Sequence, residues 1–437
     1  MTWLQRHRFR HYLRNAIWIW PVASMAVAVG VARFLLELDA SMGPQTGFST
    51  GAAQTLMATL AASMFTFIVF VSSALLVAVQ LASSQLTPRV IAIVFNDPVT
   101  KGSLVVFVFS FTMTLAVLAR VADTVPLLTT RVAAYSCLAS LGVFLFLVDH
   151  VGKALRPSGT LGAVSRQAIA VIDAVYPRRI SDAKEVATDV IAVVQGQHSS
   201  TIKSPREGVV LAFDIPGLVS LAQQADCVIE LVPQVGDFVA LGDPLFRIYQ
   251  GGSHQALLQN LYQSVAVGQE RTIQQDPAYA LRIMVDIASK GLSPAINDPT
   301  TAVLALDQIH HLLRELGWRH LDDERIRDRA GKLRLLYRTP DWEDFVRLAV
   351  TEIRQFGATS IQIARRLRAM LENLTQSLPQ QRTALLQREL QLLHRSIERI
   401  FADPEDQALA DVSDSQGMGG RFGQSNTPWS AQEAPPS

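Results

Sequence analysis

Unbroken apolar runs dominate the first third of the chain; beyond it, apolar and polar positions alternate. Between Ile17 and Val148 the runs lie at 17–36, 56–84, 104–121 and 132–148. Each is near the ~20 residues a helix needs to cross a bilayer's ~30 Å hydrocarbon core. This pattern predicts a transmembrane domain over residues 1–150 with four spans. The second run exceeds what a bilayer requires, so its helix must tilt or project into water. Trp18 and Trp20 sit at the start of the first, where indole rings favour the headgroup level.

Basic residues give the direction. Arg6, Arg8, Arg10 and Arg14 precede the first span, whereas the loop from Asp39 to Ser49 carries no Lys or Arg. Arg89 and Lys101 follow the second span, and Lys153, Arg156 and Arg166 the fourth; Arg120 and Arg131 around Asp123 weaken the pattern. By the positive-inside bias both termini are cytoplasmic in a bacterial inner (plasma) membrane. A removed secretory leader is the competing reading, since Ala26-Val27-Ala28 resembles a cleavage site. The apolar run continues through Leu36, too far for such a leader.

The second span is not uniformly apolar. Thr59, Thr66, Ser73, Gln80 and Thr87 recur every seven residues, with Ser63 and Ser84 on the adjoining edge. A seven-residue repeat drifts only ~20° per repeat on a helix, so these positions form one seam. Small hydroxylated residues let membrane helices approach and bond one another; polar groups at membrane depth also line water-filled paths. The pore-lining candidates are Thr59, Ser63, Thr66, Ser73, Gln80 and Ser84. There is no acidic ring along the seam, so a strong charge filter is not evident. At its inner end Pro88 should stop or kink the helix, making Gln85, Thr87, Pro88 and Arg89 candidates for an inner mouth or hinge.

The run Ser83-Ser84-Gln85-Leu86-Thr87-Pro88-Arg89, taken with Leu292-Ser293-Pro294-Ala295-Ile296-Asn297-Asp298-Pro299, resembles the bacterial predicted-membrane-protein family known as domain of unknown function 2254. The resemblance covers nearly the whole chain apart from its tail. It implies a membrane location and this layout, and brings no established activity or catalytic residue.

The remaining sequence predicts a cytoplasmic α+β region: connecting helices over 151–205, a small β-sandwich-like domain over 206–250, a helical domain over 251–401 and a disordered tail over 402–437. One connecting helix is expected from Asp182 to Gly196. The stretch Gly236 to Ile248 alternates strand and turn in the manner of biotinyl and lipoyl domains. No lysine stands at a hairpin tip near Asp214-Ile215-Pro216-Gly217, so swinging-arm chemistry is not expected. Asp276-Pro277 and Asp298-Pro299 each combine a capping acid with proline at the first helical position, and Asp276 and Asp298 are read as structural caps. Lys332 to Tyr337 reads as a lone strand, Asp322 to Arg329 as a solvated charged face, and Arg365, Arg366 and Arg368 as a basic patch facing headgroups or water. After Ala402 the composition is too polar to bury a core.

The chain's 437 residues carry a net charge of +1, which gives no reason to invoke nucleic acid. Its two cysteines, Cys137 and Cys227, offer neither a disulfide framework nor a zinc set. His310 and His311 are adjacent on a helix and point about 100° apart, so with His320 they read as surface histidines. There is no Gly-rich phosphate loop, no His-Glu zinc helix and no nucleophile–base set. The expectation is therefore a non-enzyme without cofactor or metal. It is read as an oligomeric channel or transport pore, lined by the second span and gated by its cytoplasmic domain. The alternative is a membrane-anchored sensor or scaffold without a pore. The expected partners are the lipid bilayer and further copies of the chain, with any ion or small-molecule ligand unidentified.

Overall fold

The computed structural model describes residues 2–42, 49–90, 97–121, 125–182, 200–250, 258–321 and 324–419. These form two compact units. The first takes the described residues of Met1–Val164, Asp189–Thr272 and Arg325–Tyr337; the second takes those of Ser165–Thr188, Ile273–Glu324 and Arg338–Ser437. The helix expected over 182–196 and the loop around Asp123 lie essentially outside the described residues, as does 420–437.

The first unit opens with α1 (Trp3–Asn15), held by a capping box between Thr2 and Gln5. Four helices long and apolar enough to cross a membrane follow: α2 (Ile19–Met42), α3 (Thr50–Gln85), α4 (Pro98–Leu118) and α5 (Leu127–Ala154). Helix α4 is central, packing against α2, α3 and α5. Ala32, Met57, Met113, Val117 and Ala133 fill one end of the helix set, and Met64, Phe107, Cys137 and Leu147 the other. Phe67 meets Phe107 and Phe144 edge-on, each at 5.1 Å between ring centroids. Phe34, Phe70, Val77, Leu138 and Leu145 point outward, as lipid contact demands.

Each of the four helices is longer than the apolar run that announces it, α3 and α5 extending at both ends, α2 at its carboxyl end and α4 at its amino end. Polar or small residues at their ends keep helical hydrogen bonds without adding hydropathy. Helix α4 starts at a third Asp-Pro cap, with Asp97 accepting from the Thr100 amide at 3.0 Å. It closes at Leu118, short of the predicted Val121. After α5 comes α6 (Pro157–Val175), whose first half belongs to this unit.

The strands of the first unit form two sheets on one core. Strands β1 (Ser200–Lys203), β3 (Val228–Leu231), β5 (Pro244–Tyr249), β7 (Glu324–Arg327) and β8 (Leu333–Tyr337) give the order β1-β5-β3-β8-β7. Strands β2 (Gly208–Phe213), β4 (Phe238–Val239) and β6 (Val265–Gly268) give β4-β2-β6. Val210, Phe213, Val239 and Val265 from the smaller sheet share a core with Ile229, Phe246 and Leu335 from the larger. Short helix α7 (Ile215–Gln224) links β2 to β3, and α8 (Leu258–Tyr262) precedes β6.

Four expectations change here. The strand at Lys332–Tyr337 is not alone: β8 pairs in parallel with β3, matching Ile229 to Leu335 and Leu231 to Tyr337. The sheet core therefore draws on strands outside 206–250, because β3 buries its exposed edge against a segment about a hundred residues downstream in sequence. Part of the charged face is edge strand β7, and Asp328 beside it accepts from the Arg334 guanidinium at 2.7 Å. Asp226 accepts from the Lys332 ammonium at 2.6 Å and from Arg334 at 2.8 Å; Lys332 first and then Arg334 hold the Asp226 carboxyl below the usual carboxylate range, and Arg334 does the same for Asp328. Asp214-Ile215-Pro216-Gly217 is no hairpin tip, since Asp214 caps α7 by accepting from the Gly217 amide.

The second unit is helical: α9 (Pro277–Gly291), α10 (Pro299–Gly317), α11 (Trp342–Gly357), α12 (Ile361–Ser377), α13 (Gln380–Ile400) and α14 (Pro404–Ala410). Leu281, Met284, Val285 and Ala288 of α9 are buried, as are Val303, Leu306, Ile309 and Leu313 of α10. Tyr176, just past α6, stands edge-on to Phe345 at 6.0 Å. Buried Arg319 donates to the Tyr176 carbonyl and to Asp173.

The segment after Ala402 departs from the expected disorder through residue 419. Asp403 caps α14, and the chain beyond lies along α12. The basic patch accounts for this. Arg365 is buried and donates to the carbonyls of Val412 and Gly419, at 3.0 and 2.8 Å. Arg366 pairs with Asp307, and Arg368 with Asp411. Hydrogen bonding to backbone carbonyls lets a polar segment dock without an apolar core of its own.

Candidate functional site

Helix α3 has 36 residues and spans about 54 Å at 1.5 Å rise per residue, well beyond the ~30 Å hydrocarbon layer. Ala53, Met57, Ala61, Met64, Val71, Leu75, Val79 and Ala82 are its buried positions, spaced by three, four or seven residues along one face. Thr59, Ser63, Thr66, Ser73, Gln80 and Ser84 are all exposed. At about 100° per residue the seam falls roughly half a turn from the buried face. Packing within one chain therefore does not use these six positions; the methionine-and-alanine face does that work, and Thr87, expected to continue the seam, lies beyond the helix end and is buried.

Several seam hydroxyls are satisfied by their own helix. Thr59 donates to the Thr55 carbonyl at 2.8 Å, Thr66 to Ala62 at 3.0 Å and Ser84 to Leu81 at 2.8 Å. Gln80 carries an amide too long for this kind of local back-bonding by a hydroxyl.

At the far end α3 closes at Gln85, and Leu86 sends its amide to the Ala82 carbonyl at 2.8 Å. Thr87 is buried, whereas Gln85, Pro88 and Arg89 are exposed. Pro88–Val90 is a single 3-10 turn, and the Arg89 amide reaches the Thr87 hydroxyl at 3.5 Å. The proline thus ends the helix rather than kinking it. Residues 91–96 lie outside the described residues.

Asp276 accepts from the Tyr279 amide at 2.9 Å and Asp298 from the Thr301 amide at 3.0 Å, so both act as N-caps. Asn297, just before the second cap, takes a left-handed backbone with φ of 50°. His310 is half-buried; its Nε2 lies 2.9 Å from Asn373 Oδ1, and burial pushes its pKa down. Among the described residues no three His, Cys, Asp or Glu side chains gather as a metal set.

The sequence reading missed polar contacts inside the helix set. Buried Ser110 of α4 and Ser140 of α5 have hydroxyls 2.8 Å apart, and Ser110 lies 2.9 Å from the Ser136 carbonyl. His150 near the end of α5 contacts Asp97 at the start of α4, at 3.0 Å. Arg33 and Glu37, four residues apart, are exposed on α2 away from its buried Ser24, Ala28 and Ala32. The signals were present: hydroxyls at matching depth in spans three and four, and two charges in the first span's helix.

This architecture defines a multi-pass helical membrane protein with an α+β region built from two small sheets and helices. The family model for "Predicted membrane protein (DUF2254)" matches residues 14–373, and the chain belongs to that family. It is 25% identical over 423 residues to an uncharacterized protein of Mycobacterium tuberculosis (strain H37Rv), covering 93% of this chain and 80% of that protein. An uncharacterized protein of Mycobacterium bovis matches to the same extent. No solved structure matches.

Proposed function

We propose that several copies of this chain assemble in a bacterial plasma membrane, with their α3 seams turned to a common axis, as a channel or transport pore. The carrying observation is the exposure of Thr59, Ser63, Thr66, Ser73, Gln80 and Ser84 on the face of α3 opposite its buried stripe. Packed Met, Phe and Val side chains occupy the interior of the four-helix set, so the path requires more than one copy. The inner-mouth residues Gln85, Thr87, Pro88 and Arg89 lie where the seam meets the cytoplasmic side, and the soluble part gates the opening. Packing of α1 on the small sheet supports an amino terminus on the same side as the soluble part. The positive-inside bias makes that side the cytoplasm. The chain is read as a non-enzyme: among the described residues no catalytic constellation recommends a reaction.

Planar-bilayer recording of the purified protein tests the pore. Conductance that falls with Gln80→Leu or Ser73→Leu is the expected result. Silence under every voltage, tension and ion condition overturns it.

One observation favours the second reading, a membrane-anchored sensor or scaffold. The hydroxyls of Thr55, Thr59, Thr66 and Ser84 bond carbonyls of their own helix, which makes them compatible with lipid. A partner captured by the intact protein and lost on disrupting the sheet core, together with absent conductance, selects it.

A further inference from the structure

Helix α1 has two faces. Its first face, Trp3 and Leu4, packs on Leu211, Ala212 and Ala266 of β2 and β6. The opposite face presents Phe9 and Tyr12, each 54% exposed. Arg6 and Arg8 are exposed on either side of them, Arg10 is exposed on the flank nearer Trp3, and the helix contains no acidic residue. Three residues separate Asn15 from the start of α2 at Ile19, so the two helix ends lie at most about 14 Å apart. The carboxyl end of α1 therefore lies at headgroup level, beside the exposed indoles of Trp18 and Trp20.

The sheet continues this surface. Val209 pairs with Phe238 on one side and Gly268 on the other. A Cβ on Gly268 would meet Leu211, which packs against α1, so Phe238 shares the sheet face that α1 covers. Phe238 and nearby Leu241 are 67% and 70% exposed. Phe238 therefore points to the same side of the small sheet as α1. Partial burial lowers the Arg206 pKa, and the like charge of nearby Arg8 lowers it further. Asp237 and Asp243, which flank the apolar pair, are engaged in their own turns: each accepts a backbone amide at 2.8 Å, from Gln234 and Ala240. A like-charged cluster beside exposed aromatics, set one short connector from the bilayer, calls for an anion from outside the chain.

We propose that α1 and the β4 edge form one lipid-reading surface that docks on anionic headgroups of the bilayer crossed by α2–α5. Phe9, Tyr12, Phe238 and Leu241 enter the interface, and Arg6, Arg8, Arg10 and Arg206 take the phosphate charge. Membrane charge is thereby coupled to the small sheet through Leu4, which packs on Ala212 and Ala266. This surface is independent of whether α3 lines a pore.

The test uses the full chain in nanodiscs, spin-labelled at Tyr12→Cys or Phe238→Cys; native Cys137 and Cys227 are buried. Labels are compared in phosphatidylcholine and phosphatidylglycerol-containing discs. The expected result is a several-fold rise in the ratio of oxygen to nickel-chelate accessibility at both sites in the anionic discs, reversed by high salt. Replacing Arg6, Arg8 and Arg10 together by Gln should abolish the lipid dependence, and replacing them by Lys should keep it. Labels that stay equally water-accessible in both lipids overturn the proposal. So does spin–spin broadening that disappears on dilution with unlabelled protein, which would assign this face to a second copy.

Discussion

The Asp39 carboxylate, near the end of α2, caps Thr129 at the start of α5. It accepts from the Leu128 and Thr129 amides at 2.9 Å each and from the Thr129 hydroxyl at 2.5 Å. Pro126, at the N-cap position of α5, supplies no side-chain bond, so a neighbouring span provides it. The amide ends of a helix near a membrane face need an acceptor, and a carboxylate also complements the helix dipole. At the other end of α5, His150 meets Asp97, so the helix is held at both ends.

Asp39→Ala should destabilise the helix set by about 1–2 kcal/mol, the usual cost of a lost cap. A lower melting temperature of the purified protein in detergent is the measurement. Asp39→Asn, which keeps an acceptor, should lose less.

The buried Ser110–Ser140 contact is the next test. Ser140→Ala should cost only about 0.6 kcal/mol, typical of such bonds between membrane helices, because Ser110 keeps the Ser136 carbonyl. Ser110→Leu should cost about 1–3 kcal/mol through overpacking. Equal losses in thermal unfolding would show that packing there is looser than the buried serines imply.

In the second unit Arg282 of α9 grips Glu352 of α11 through two bonds, at 2.5 and 2.8 Å, and holds its carboxyl below the usual range. A carboxyl with a depressed folded pKa contributes stability above its unfolded value near ~4.3, and that stability is lost as pH falls through the folded pKa. Glu352→Gln should therefore lower the melting temperature at neutral pH and flatten its decline on acidification.

Gly417 has φ of 68°, and a Cβ there would lie 2.5 Å from Val303 Cγ1 and 3.3 Å from Arg366. Gly417→Ala should weaken the docking of residues 404–419 by more than about 1 kcal/mol, through left-handed strain and the clash. Limited proteolysis should then cut this segment sooner. Arg365→Ala should do the same by removing the donors to Val412 and Gly419.

The membrane spans were legible because twenty consecutive apolar residues have few other uses, and the Asp-Pro caps because a cap is a local device. The inward residues of α9 and α10 followed from helical periodicity for the same reason. The α3 seam could be read as a line of residues, but not for direction. Two packing faces were chemically available to that helix, and only the Met57 and Met64 stripe meeting α4 and α5 shows which one the chain uses.

Long-range partners stayed hidden. Nothing near Leu333 announces Ile229, and nothing near Arg365 announces Val412. A strand edge and a buried guanidinium each demand a hydrogen-bonding partner without specifying its position in the chain. Local composition fixed what each segment is able to form; the tertiary fold decided who satisfies whom, because backbone and charged groups removed from water must be paired by whatever the chain brings alongside.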